Sequence, residues 1–158
     1  GRLRDDLHAA VEGLDEDQLT WRADPAANTV AWLVWHLARL QDASVAAAFR
    51  TDDLWTLDGW ADRFGLPVAS DDVGYGHTSE QVATVRPPAA LLLAYADAVL
   101  DRTLDRLASV TPEDLDHVVD TSYDPPVTLG VRLVSVLADD LQHLGQAALL
   151  RGLLDRRG

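Results

Sequence analysis

From Val30 to Ala38 the chain reads Val-Ala-Trp-Leu-Val-Trp-His-Leu-Ala. At about 100° per residue this stretch is apolar around its whole circumference. A helix with no face for water must run through the middle of a helical assembly, so a central buried helix is the strongest constraint on the fold. His36 is its one strongly polar side chain, a turn away from both Trp32 and Leu40. The plainest reading of His36 is a core histidine with a single hydrogen-bond partner.

Start and stop signals frame four long helical segments. The first spans about 2–14, with Leu3, Leu7, Ala10, Val11 and Leu14 on one face. The second spans about 29–49, with Asn28 or Thr29 as N-cap and Pro25 upstream. The third spans about 88–109, opened by Pro88. The fourth spans about 128–155, capped by Thr128 after Asp124-Pro125-Pro126. Residues 50–87 make a long link that carries Trp55 and Trp60. Short helices are expected in it at about 57–64 and 79–85, the latter opened by the capping-box pattern Thr78-Ser79-Glu80-Gln81. Another short helix is expected at Thr111–Leu115. A structureless loop as long as 50–87 is uncommon in a compact domain, so the link is expected to pack over the bundle. Val82–Val85 and His117–Asp120 are too short to build a sheet. The expectation is an all-α single domain, 1–158, arranged as an antiparallel bundle with one long crossover holding short helices between helices two and three.

Composition narrows the function classes. An apolar content of 47% permits a full core, and no apolar run is long enough to span a bilayer. The chain begins with Gly, and no signal peptide is visible in it. It has no Cys, which excludes disulfide scaffolds, thiolate zinc sites and cysteine nucleophiles. The default compartment is cytoplasmic. Net charge is −13, and all 13 basic residues are Arg, scattered and often flanked by Asp. That balance offers no footprint for nucleic acid or anionic lipid. The absence of Lys and the abundance of Ala, Leu, Asp and Val point to a high-GC, actinobacterial-like bacterial genome.

The fourth helix is apolar over most of its circumference, but a polar stripe crosses its middle: Ser135, Asp139, Gln142, His143 and Gln146. A solvated stripe is one reading. Against it, Leu150 and Leu153 continue the same stripe further along, so polarity confined to mid-height fits an interior site better. Asp139 and His143 are one turn apart and face the same way. Burying an isolated carboxylate is costly, and a divalent cation removes much of that cost. Spacing i, i+4 puts two ligands on one side of an ion, and His36 can supply the third from across the bundle. Two histidines and a carboxylate suit catalytic zinc or non-haem iron and leave positions open for water or substrate.

Three stretches resemble the DinB-like superfamily of metal-binding four-helix bundles: Asn28 to Leu37, Gly74-Tyr75-Gly76-His77-Thr78, and Asp139 to Gln146. The likeness extends over nearly the whole chain, and the ending His143-Leu144-Gly145-Gln146 is its most specific part. The superfamily includes S-transferases that use mycothiol or bacillithiol. The resemblance implies an up-down-down-up bundle and a homodimer. It also implies one divalent ion, zinc first, with nickel or iron as alternatives. Family members hold their metal on one histidine of the second helix and a pair of histidines on the fourth. His36 and His143 match, and Asp139 stands where the first histidine of the pair is expected.

His77, Tyr75 and Tyr123 are secondary candidates. His77, just before the capping box, reads either as a surface loop histidine or as a fourth ligand or proton shuttle above the metal. Gln142, Gln146 and Trp32 are candidates for orienting ligands or substrate. His8 and His117 belong to no constellation and are expected to be exposed, while Trp21, Trp55 and Trp60 are expected to pack in the core or a lid. The expected function is a metal-dependent transferase that activates a small thiol toward a small electrophile. The competing expectation is a bundle that binds metal or a small molecule without catalysis.

Overall fold

The computed structural model describes residues 1–157. It is mostly helical. The long helices are α1 (Arg2–Val11), α3 (Val30–Ala48), α7 (Ala89–Leu107) and α8 (Leu129–Asp155). Between them lie the short helices α2 (Glu16–Leu19), α4 (Leu54–Leu57), α5 (Trp60–Phe64) and α6 (Ser79–Thr84), and a 3-10 turn at Glu113–Asp116.

The caps account for most of the boundaries. The Thr29 hydroxyl accepts from the Trp32 amide at 3.0 Å and opens α3. Thr78 and Gln81 form the expected capping box at α6. The first helix stops at Val11 rather than continuing to residue 14. Gly13 takes a positive φ of 80°, and Asp15 then starts α2 with a capping box of its own through Gln18. The helix expected at about 57–64 starts later, at Trp60 as α5, because Gly59 sits in the left-handed region before it; α4 at Leu54–Leu57 is a further short helix that was not expected. A two-stranded antiparallel ribbon, β1 (Val118–Asp120) and β2 (Val127–Thr128), corrects the expectation of no β structure. It is a local device: the short strands satisfy each other's backbone groups before α8, and Arg132 reaches back to Asp120 at 2.6 Å.

Packing follows the all-round apolarity of α3, which lies against both α7 and α8, while α1 packs on the same pair and also touches α3. The core joins α3 to the rest through Leu33, Val34, Trp35 and Leu37, with Leu7 and Val11 from α1, Leu92, Tyr95 and Val99 from α7, and Leu144, Ala147 and Leu150 from α8. Trp55, Trp60 and Phe64, carried by the long link, pack around Tyr95 with ring centroids 5.3–5.6 Å apart. Trp55 and Trp60 are core, as expected, and Phe64 joins them. Among the described residues, no helix is long and apolar enough to cross a membrane.

Candidate metal centre

At mid-height in the seam between α3 and α8, one potential ligand atom from each of His36, Asp139 and His143 lies within 4.8 Å of the others. His36 comes from the buried helix, and Asp139 and His143 from successive turns of α8. The two imidazoles meet nearly edge to face, centroids 4.7 Å apart at 82°. His143 Nε2 is 3.6 Å from Asp139 Oδ1. Two ligands at zinc bond lengths around one tetrahedral ion would lie about 3.4 Å apart.

Local structure prepares this set for a cation. The Val73 carbonyl can only accept, so the His36 nitrogen facing it, Nδ1, carries the proton, and in the neutral ring Nε2 keeps its lone pair. Burial lowers the pKa of His36; the Val73 carbonyl opposes that shift, and the neighbouring His143 adds to it. The neutral, metal-binding form is therefore the favoured one. Asp139 Oδ2 is buried and has no hydrogen-bond partner among the described residues. An orphaned carboxylate oxygen on a side chain grouped with two imidazoles is a costly arrangement that a divalent ion would relieve. These residues fit a metal.

The segment from Asp72 to His77 forms the roof. Gly74 has φ +89, and a Cβ there would lie 2.8 Å from the Trp35 ring and 3.1 Å from His36 Nδ1. Only glycine lets the backbone approach so closely and bring the Val73 carbonyl onto His36. Trp32 stacks on His36 with centroids 4.6 Å apart and planes at 11°. Its indole Nε1 donates to His77 Nδ1 at 3.1 Å, and His77 Nε2 donates to Asp72 at 3.0 Å. Burial tends to raise the Asp72 carboxyl, but the bonds from His77 and the Gly74 amide prevail and hold it below the usual carboxylate range.

Several expectations change here. His77 is not a surface histidine, because its side chain is only 3% exposed. Both its nitrogens are engaged, so it acts as a buttress for Trp32 and has no lone pair to offer an ion. Gln146 Oε1 lies 3.3 Å from His143 Nδ1, whereas Gln142 is exposed. Tyr75 is 92% exposed and Tyr123 is also exposed. His8, expected to stand alone, bridges Glu12 and Asp97 at 2.8 and 2.9 Å, and these acidic partners raise its pKa. His117 is exposed as expected. Val73, Asp72 and Gly74 contribute to the site without having been singled out individually. The motif Gly74-Tyr75-Gly76-His77 marked the segment, but no spacing rule revealed where its backbone would run.

The sequence profile of the DinB superfamily matches residues 1–147. A crystal structure described as a conserved protein of locus from Enterococcus faecalis is similar at 31% sequence identity and a TM-score of 0.88. That likeness covers 95% of this chain and 89% of the other. None of the curated proteins matches the sequence.

Proposed function

Because the chain belongs to the DinB superfamily, a group of metal-binding bundles, we propose that it is a metal-dependent transferase that joins a low-molecular-weight thiol to a small electrophile. The observation that carries this reading is the convergence of His36, Asp139 and His143, with Asp139 Oδ2 left unpartnered among the described residues. One zinc ion per chain is the proposed occupant, with nickel or iron as alternatives. A divalent ion there would lower the pKa of a thiol and so supply thiolate at neutral pH. The protein's own part is to bind, orient and exclude. Val73 fixes the tautomer of His36, and Trp32, braced by His77 and Asp72, covers one face of the His36 ring. Asp139 brings the one negative charge among the three ligand groups. With no cysteine in the chain, the thiol must come from a co-substrate.

The test is thiol consumption by untagged, zinc-loaded protein with monochlorobimane and mycothiol, bacillithiol or glutathione. Turnover above background that disappears in Asp139→Ala supports the transferase. No turnover with any of the three thiols, in protein that holds its metal, supports the second reading: a bundle that binds metal without catalysis. Asp139 in place of the family's histidine is the observation that favours that alternative.

A further inference from the structure

Helix α8 turns two adjacent carboxylates in different directions. Asp139 faces the seam with His36. Asp140, about 100° further round the helix, faces a separate cavity of about 380 Å3 where α1, α3, α7 and α8 meet. None of the three candidate metal ligands lines that cavity. Its wall is apolar, made by Val45, Leu100, Leu104, Val136 and Leu137. Leu104 and Leu137 are 60% and 50% exposed, so the cavity opens to solvent on their side, while Val45 and Val136 are buried.

Asp140 is 3% exposed and has no hydrogen-bond or ion-pair partner among the described residues. A buried carboxylate left in this way is costly, and among the described residues no side chain relieves it; Gly1 also lines the cavity, but its amino group makes no ion pair with Asp140. The Gln41 amide at the same wall is spent on the Thr103 hydroxyl at 2.8 Å. Arg4 is committed to Asp97 and Asp101, and Arg2 to Asp6. Asp140 therefore lacks a positively charged donor bonded to it, and the apolar wall lacks a body to cover it. A volume of this size is in the range of small-molecule sites.

We propose that this cavity binds small aliphatic amines, with the ammonium on Asp140 and the hydrocarbon chain along Val45, Leu100 and Val136. An ammonium carries three N–H donors together with the missing countercharge, which an alcohol of the same length lacks. The site shares no side chain with the metal centre.

The experiment is isothermal titration of the untagged protein with n-octylamine and n-octanol, before and after chelator treatment, with amide chemical-shift mapping of the bound state. The expected result is saturable one-to-one binding, with the amine about tenfold or more tighter than the alcohol and insensitive to chelation. Shift changes should centre on Leu100, Val136 and Asp140. Asp140→Asn should erase the preference for the amine. Leu104→Trp, at a position open enough to accept a larger side chain, should block both ligands without lowering the melting temperature. The proposal is overturned by an absence of saturable binding, including the case in which a second copy of the chain covers the mouth. It is also overturned by amine binding that disappears with the metal, by an amine preference that survives in Asp140→Asn, or by shifts centred on His36. Should Asp140→Asn fail to fold, the wild-type amine-to-alcohol ratio, the shift map and Leu104→Trp decide the matter.

Discussion

Two of the buried polar side chains of helix α3, Asp42 and His36, lie on different seams and are treated in opposite ways. Toward α7, Asp42 receives everything a carboxylate can ask for. Its Oδ1 accepts from the Leu54 amide, and its Oδ2 accepts from the Trp55 amide and the Tyr95 hydroxyl, each at 2.9 Å. Burial pushes the Asp42 pKa up, and those three donors oppose the shift. Toward α8, His36 meets Asp139 and His143, and Asp139 Oδ2 is left with no partner among the described residues. Burial alone therefore does not distinguish structure from function. The balance of donors and acceptors does: a saturated cluster braces the fold, and an acceptor-rich cluster with an orphaned oxygen awaits a cation.

The hardest way to break this contrast is to remove Asp42. Asp42→Ala strands two backbone amides and the Tyr95 hydroxyl in the core, and it should cost about 3–5 kcal/mol in urea unfolding. The metal content of the protein that remains folded should not change. A variant that unfolds like wild type would mean that the saturated cluster is not structural.

Asp139→Ala should do the reverse. Metal affinity, read by competition with a chromogenic chelator, should fall about 100-fold or more, because one of three ligands and the only ligand charge are lost together. Unfolding in excess chelator should shift by no more than about 1 kcal/mol, since the core is built from Leu, Val, Ala and Trp. Asp139→His should retain metal, and Asp139→Asn should lie between the two.

Gly74→Ala sharpens the comparison by striking the roof alone. With φ at +89 and the Trp35 ring 2.8 Å from the new Cβ, the loop must move, at a cost of about 1–2 kcal/mol. His36 then loses the Val73 carbonyl, so metal affinity should fall while the Asp42 cluster stays intact. Unchanged affinity would remove Val73 from the account.

The smallest effect is a pH dependence of the metal-free protein. The folded-state pKa of His36 is lowered by burial, so the unfolded chain binds the proton more readily. Stability contributed by the neutral ring is present above pH ~6.5, the unfolded value, and is lost as pH falls below it, by at most about 1.4 kcal/mol per pH unit. Chelator-treated wild type should therefore lose more stability than His36→Gln between pH 7.5 and 5. Equal losses would show that His36 is not held neutral.

Much of the architecture was legible because periodicity and caps are local signals. The all-round apolarity of Val30–Ala38 identified the buried helix, and Thr29, Thr78 and Thr128 marked real N-termini. The early end of α1 at Val11 depended on Gly13 and a new capping box, which the apolar spacing of Leu3, Leu7 and Leu14 concealed. In the site, i, i+4 spacing paired Asp139 with His143, and polarity inside an apolar run singled out His36. The roof was not legible, because the Val73 carbonyl lies 37 residues from His36 and no periodicity fixes the path of a loop. His77 looked exposed for the same reason: its burial comes from Trp32 and Trp35, contacts that exist only in the tertiary structure. The cavity at Asp140 was not legible either, because it depends on how α8 meets α1, α3 and α7.

The most direct test of the central claim is elemental analysis of protein purified without a polyhistidine tag, dialysed against metal-free buffer, for wild type and Asp139→Ala side by side. The account predicts about one divalent ion per wild-type chain, on two imidazoles and one carboxylate, and close to none in the variant. Full and equal occupancy in both proteins would contradict it, as would wild-type protein that takes up no divalent ion when zinc is supplied.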